Sequence, residues 1–462
     1  MGEEKLFGTD GVRGVANVSP MTPGVVMRIG MATGLVLRER SPHGSLDFII
    51  GRDTRLSGAM VQTALTAGLT AVGVTVRDAG VIPTPGISFL TQRLGGVGGA
   101  MISASHNPYP DNGVKLFSAS GTKLPDEVED QIEVRFIELT DAAQEKMLAA
   151  HTCEHLGDMK RIADPIALYS EFCREAFGLP QGLKGIKIVV DCANGASWRS
   201  SPSILKSLGA QVITLADRPD GTNINVDCGS LHPEQLVQAV KDHRAQVGIA
   251  HDGDADRVIL VDETGDLLDG DKILGILARE YKEKGELVGN TLVATIMSNV
   301  GLVVALKPLG IRVIRTQVGD RYVKEEMEKK GYTLGGEQSG HIILGQHAPT
   351  GDGLITALEV LKVMVSRETP LSELARFVRR FPQVLLNVPV REKRELKLVP
   401  GLWDKVLEIE SALGEEGRVV LRYSGTEPLA RVMVEGPDEA SVWGYADTLA
   451  SRIKDELGIP SL

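Results

Sequence analysis

The chain has 462 residues, which suggests two to four domains and more than one hydrophobic core. It has 42% apolar and 24% charged residues, and its 52 glycines follow no Gly-X-Y period or low-complexity run, so collagen-like and disordered readings fail and the glycines must serve loops. The 50 Lys and Arg against 61 Asp and Glu, a net charge of −11, argue against nucleic-acid and membrane-surface partners but leave room for a local anion pocket.

The opening Met-Gly-Glu-Glu-Lys carries no apolar leader, and no apolar run approaches membrane-spanning length. The four cysteines (Cys153, Cys173, Cys192, Cys228) show no CxxC spacing, so a reducing cytoplasm is the expected location. FGTDGVRG then places Arg13 in a glycine-rich turn, where a phosphate contact and a plain surface arginine are both open readings. Three stretches, 47–80, 187–219 and 291–319, repeat one pattern: a β-branched apolar run, a polar loop, a helix-length segment, a glycine and a second run. That is the βαβ unit of a mostly parallel sheet.

Each unit is followed by a predicted helix, a strand, a polar loop and another strand. The first set is strand 99–102, loop SASHNP and strand 113–117. The second is strand 247–250, loop DGDADR and strand 258–262. The third is strand 332–334, loop GGEQSGH and strand 342–344. A different C-terminal segment has strand 418–421, loop RYSGTEP and strand 430–435. Domains are therefore expected at 1–158, 159–264, 265–378 and 379–462: three similar α/β domains with mixed sheets and a smaller α+β domain. If the four loops face one another they form one cleft, a favoured kind of ligand site.

DGDADR supplies Asp252, Asp254 and Asp256 at alternate positions. Three crowded carboxylates repel one another unless a cation lies between them, and hard oxygen ligands suit Mg²⁺. An EF-hand would need glycine at position six, where Arg257 stands, and a helix after the loop rather than the strand-like VILVD. SASHNP offers Ser105 and His106, with Lys115 ten residues on. A serine hydroxyl is a weak nucleophile and needs help, and no Gly-x-Ser-x-Gly elbow surrounds it. RYSGTEPLAR places Arg422 and Arg431 around Ser424, Gly425 and Thr426, a phosphate cradle without a Walker A lysine. GGEQSGH offers Glu337, Ser339 and His341 as a grip for sugar hydroxyls or an amine. Jointly the loops describe phosphoryl transfer to a sugar.

FGTDGVRG, SASHNPYPDNGVKLF, DGDADR, GGEQSGH and RYSGTEP occur in an order and spacing that resembles the α-D-phosphohexomutase family over nearly the whole chain. LFGTDGVRG, SNVGL, VGDRYV, Gln338 and SGTEPLARVMVEG resemble most its bacterial amino-sugar branch, in which glucosamine 6-phosphate and glucosamine 1-phosphate interconvert on the way to UDP-N-acetylglucosamine and cell-wall precursors. A mutase for glucose or mannose phosphates is the alternative. His251 departs from the residues common before the acidic loop and bears on the cleft.

The resemblance implies four domains and a phosphoserine at Ser105. It implies one Mg²⁺ per site on Asp252, Asp254, Asp256 and a Ser105 phosphate oxygen, with a hexosamine 1,6-bisphosphate as intermediate and activator. Arg13, Lys115 and Arg257 would neutralise charge, and Lys115 or His106 would act as general acid/base. Glu337, Ser339 and His341 would grip the sugar, and Arg422, Ser424, Gly425, Thr426 and Arg431 the idle phosphate. Sugar phosphates are the expected partners of a cytoplasmic monomer or homodimer.

Overall fold

The computed structural model describes residues 5–8, 10–41, 46–150, 153–424 and 427–459. The first sheet contains β1 (Val12–Val15), β2 (Asp47–Arg52), β3 (Thr75–Val81), β4 (Gly98–Ile102), β5 (Asp111–Ser118) and β6 (Met159–Arg161), in the order β1-β5-β4-β2-β3-β6. β2 runs parallel to β3 and β4, whereas β5 is antiparallel to both β4 and β1. Phe48, Ile49 and Ile50 of β2 are all buried, as a central strand covered on both faces requires. β6 pairs with β3, so residues 159–161, expected to open the second domain, close the first sheet instead.

The second sheet contains β7 (Lys187–Asp191), β8 (Gln211–Leu215), β9 (Val247–His251), β10 (Val258–Asp262) and β11 (Leu267–Leu268), ordered β11-β10-β9-β7-β8. The third contains β12 (Thr291–Thr295), β13 (Arg312–Thr316), β14 (Leu334–Gly336) and β15 (Ile342–Leu344), ordered β13-β12-β14-β15. One plan recurs. A parallel pair is followed by an antiparallel hairpin: β4–β5, β9–β10 and β14–β15. The loops inside these hairpins are SASHNP, DGDADR and the loop ending at His341, so the three polar loops occupy one topological position.

β16 (Gln383–Pro389), β17 (Arg418–Tyr423) and β18 (Leu429–Glu435) form a separate antiparallel sheet ordered β16-β18-β17. The helices Leu402–Leu413 and Glu439–Leu457 pack on it through Val406, Ile409, Ala446, Leu449 and Ile453. The chain packs as two units, Met1–Ile296 with Ile314–Ala375, and Met297–Val313 with Arg376–Leu462. Residues 297–313, expected in the third domain, thus pack with the C-terminal segment. Within that second unit the buried Arg418–Glu435 pair (2.7 Å) holds both ends of the contact. Arg418 donates to the Ser298 carbonyl, and Glu435 accepts the Val300 N–H.

The third hairpin starts two residues later than expected. Gly331 ends the helix Asp320–Lys330 in the left-handed region and the Tyr332 N–H returns to Met327 O, so pairing begins at Leu334. Near the end of the expected first domain the chain forms the helix Asp141–Ala150. Among the described residues no helix is long and apolar enough to cross a membrane.

Candidate active site

Ser105 lies just past β4 and is buried. Its φ is +53°, a left-handed conformation uncommon outside glycine and associated with functional strain. The Ser105 Oγ–H donates to Asp252 Oδ2 at 2.6 Å, and His106 Nδ1 lies 3.4 Å from the same oxygen. Burial, then the cations Arg257 and Arg13, lowers the His106 pKa from its ordinary value. Two loops far apart in sequence thereby meet at one hydroxyl.

The acidic loop joins β9 to β10 and turns at Ala255, whose φ is +57°. Asp252, Asp254 and Asp256 are all buried, and one ligand oxygen from each lies within 4.8 Å of the others. Asp254 Oδ2 accepts from Thr84 Oγ1 at 2.6 Å and from Lys115 Nζ at 2.7 Å. Asp256 Oδ2 accepts from Lys115 Nζ at 3.3 Å. The Oδ1 atoms of Asp254 and Asp256 are buried without a hydrogen-bond partner. Unsatisfied buried carboxylate oxygens are costly, and a hard divalent cation would satisfy both, so the donor set fits Mg²⁺.

The charges respond to one another. Burial, reinforced by the Asp256 and Asp254 charges, pushes Asp252 up to about 8. Burial opposes ionisation of Asp256 too, but Lys115, His341 and Arg257 hold its carboxyl well below the usual range. Burial works against the Lys115 charge, yet Asp254, Asp256 and Asp10 raise its pKa. Lys115 is therefore a fixed cation between two carboxylates.

Arg257 closes the acidic loop, its Nε 4.0 Å from Asp256 Oδ1. Arg257 also forms a β-bridge with His341, and the Val258 N–H donates to Gly340 O at 3.1 Å. Gly340 has φ +91°, and a Cβ there would lie 2.1 Å from Val258 O, so this crossing of two loops requires glycine. His341, expected to grip sugar, is instead buried against Asp256, 3.7 Å away, and Asp320, 3.6 Å away. Burial opposes its charge, but Asp256, Asp320 and Glu337 raise its pKa to about 9. Glu337 accepts the Gly319 N–H at 3.0 Å and the exposed Ser339 hydroxyl at 3.2 Å, so these two are brought together at the loop's outer side. Arg13 pairs with Asp10, and Lys123 bridges Asp10 to Asp320.

In the second unit, Arg422 and Arg431 are register partners across β17 and β18. Arg431 Nη2 lies 3.5 Å from Ser424 Oγ, and Lys393 Nζ donates to the Ser424 carbonyl at 2.7 Å. Glu427 faces the same group: its Oε2 is 3.5 Å from Arg431 and 3.3 Å from Ser424 Oγ. Gly425 and Thr426, expected in this cradle, lie outside the described residues.

Domains I, II, III and the C-terminal domain of the phosphoglucomutase/phosphomannomutase family match residues 4–143, 168–265, 269–381 and 385–452. A phosphoglucosamine mutase of Anaeromyxobacter dehalogenans is 49% identical over 98% of this chain and 99% of its own length. The chain belongs to the phosphohexomutase family. A phosphoglucomutase/phosphomannomutase family protein of Burkholderia thailandensis shares the fold at TM-score 0.78 and 23% identity, covering 98% of this chain and 97% of its own. An N-acetylphosphoglucosamine mutase of Aspergillus fumigatus, solved with GlcNAc-6P and magnesium, does so at 0.68 and 19%, covering 98% and 96%.

Several residues of this phosphohexomutase site were not singled out in the sequence. Thr84 ties its backbone N–H to Asp254 O and its hydroxyl to the same residue's carboxylate. Asn225 donates to the Ser105 and Asn107 carbonyls at 2.9 and 3.1 Å. Arg55 and Asp53 underlie the serine loop, and Asp10, Lys123 and Asp320 link the first motif to the GGEQSGH loop. Asp10 stands inside FGTDGVRG and Asp320 inside VGDRYV, both usable signals; Thr84, Asn225 and Lys123 bond to carbonyls or distant carboxylates and leave no motif. His251, expected to bear on the cleft, is fully buried: Nε2 meets Ser201 Oγ at 3.0 Å and Nδ1 meets Arg257 O at 3.3 Å.

Proposed function

We propose that this isomerase interconverts glucosamine 6-phosphate and glucosamine 1-phosphate through a phosphorylated Ser105. One observation carries the reading: the Ser105 hydroxyl is bonded into a buried acidic triad that retains two unpartnered carboxylate oxygens. The amino-sugar assignment rests on the 49% identical relative.

A free hydroxyl of the sugar phosphate attacks the phosphorus on Ser105, the bond from phosphorus to Ser105 Oγ breaks, and a hexosamine 1,6-bisphosphate forms. The proton lost by the attacking hydroxyl is balanced by one returned to Ser105 Oγ, beside which Asp252 Oδ2 and His106 Nδ1 stand. After the sugar turns, its other phosphate returns to Ser105. Asp252, Asp254 and Asp256, with a phosphate oxygen on Ser105, would hold one Mg²⁺, which when bound disperses phosphoryl charge. Lys115, Arg13 and Arg257 supply further positive charge. Glu337 and Ser339 are assigned to sugar hydroxyls, and Arg422, Ser424 and Arg431 to a substrate phosphate. Free Cys153, Cys173, Cys192 and Cys228 are consistent with work in a reducing cytoplasm.

The test is a coupled assay with glucosamine 6-phosphate and glucose 6-phosphate, on the wild type and Ser105→Ala. The reading expects a higher kcat/KM for the amino sugar and near-complete loss of activity in the variant while its circular dichroism is unchanged. A higher kcat/KM for glucose 6-phosphate sinks the sugar assignment, and full activity in Ser105→Ala sinks the mechanism.

A further inference from the structure

Arg55 has five guanidinium N–H groups, and all five are committed: one to the Asp53 carboxylate and four to the backbone carbonyls of Ser105, Asn107, Pro108 and Asp111. Nε donates to Asp53 Oδ2 at 2.8 Å. Nη1 donates to Pro108 O and to Asp111 O, the latter at 3.0 Å. Nη2 donates to Ser105 O and Asn107 O, both at 2.8 Å. The side chain is fully buried. A planar fork with five donors suits such a spread of acceptors, and an ammonium with three donors on one nitrogen cannot span them.

The arrangement closes on itself. Asp53 Oδ2 also accepts the Ser103 hydroxyl at 2.6 Å, and Ser103 Oγ accepts the Ser105 N–H at 2.9 Å. Ser105 is therefore gripped at its N–H through Ser103 and at its carbonyl by Arg55 and Asn225. Those grips lie on either side of the residue whose φ is +53°. Its Oγ takes no part in them and is left to Asp252.

We infer that Arg55 is a positioning residue for phosphoryl transfer: it holds the strained Ser105 backbone so that Oγ meets the acidic triad. This rests on the phosphoserine reading above. A misplacement of about 1 Å at a reacting group costs roughly 100-fold in rate, which sets the expected effect.

The experiment follows transfer of labelled phosphate from a hexose 1,6-bisphosphate onto Ser105, alongside steady-state kinetics, in the wild type, Arg55→Ala and Arg55→Lys. The expected result is a fall of roughly 100-fold in the transfer rate and kcat of both variants, with KM changed less than about threefold. Millimolar guanidinium should restore part of kcat to Arg55→Ala, and methylammonium should not. Transfer at the wild-type rate, a loss confined to KM, or absence of guanidinium rescue overturns the inference. If Arg55→Ala does not fold, Arg55→Lys carries the test, and full activity in it is equally fatal. Absence of label on wild-type Ser105 fails the phosphoserine reading instead, so the two failures are distinct.

Discussion

His251 illustrates how a buried residue beside the acidic loop acts on stability. Burial pushes its imidazole pKa down to about 4, against an ordinary value near 6.5. The unfolded chain takes up a proton below about pH 6.5, and the folded one only near pH 4. The stability this creates is complete above pH 6.5 and is lost as pH falls through 4, an effect of about 3 kcal/mol. In urea titrations between pH 7 and 4, His251→Gln should lose stability with a shallower slope than the wild type. An unchanged slope would assign the acid sensitivity elsewhere. Legibility at this scale divides by partner. Ser105 and the three aspartates are visible because their chemistry lies in local spacing. The role of Arg55 is hidden because its partners are loop carbonyls, and that of Thr84 because its partner is 170 residues away.

The helix Gly353–Arg367 shows how one element supports the acidic loop. Asp352 caps it, with Oδ1 accepting the Leu354 and Ile355 N–H groups at 3.0 and 2.9 Å and Oδ2 accepting the Tyr169 hydroxyl at 2.7 Å. The Gly353 N–H then donates to Ala255 O at 3.1 Å, at the turn between the aspartates. A Cβ on Gly353 would lie 2.3 Å from Arg257 O and 3.0 Å from Ala255 O. Gly353→Ala must shift the acidic loop while leaving the helix intact. Metal affinity, followed by Mn²⁺ electron paramagnetic resonance, should fall by about 10- to 100-fold, as for other groups that orient ligands. Wild-type affinity in the variant would show that the helix does not set the loop. This helix is buried over most of its length, and nothing in its sequence marks the loop it supports. By contrast, β10 and β15 appear where their β-branched runs predict, whereas β14 is displaced because its two glycines read as loop.

Across the whole molecule, the repeated plan is readable because three hairpins each carry a polar loop at the same point. The allegiance of residues 297–313 is not, because it depends on Arg418 and Glu435, more than a hundred residues onward. The acidic triad also has a global effect. A ligand bound by the folded chain alone stabilises it by RT ln(1 + [L]/Kd), about 2.7 kcal/mol at a hundredfold excess over Kd. After EDTA treatment, added Mg²⁺ should raise Tm by a few degrees. In the double variant Asp254→Asn with Asp256→Asn the increment should vanish in calorimetry, and an undiminished one would place the cation elsewhere.

On the proposed phosphoserine reading, the left-handed backbone at Ser105 also bears on which amino acid can carry the phosphoryl group. Threonine offers the same hydroxyl and forms an equally good phosphate ester. Its branched Cβ, however, is poorly tolerated at positive φ. Serine is thus favoured over threonine here by the turn rather than by the reactivity of the oxygen, and Ser105→Thr should lose activity. Drift between the two alcohols, tolerated on many surfaces, is closed to this chain unless the loop is rebuilt with it.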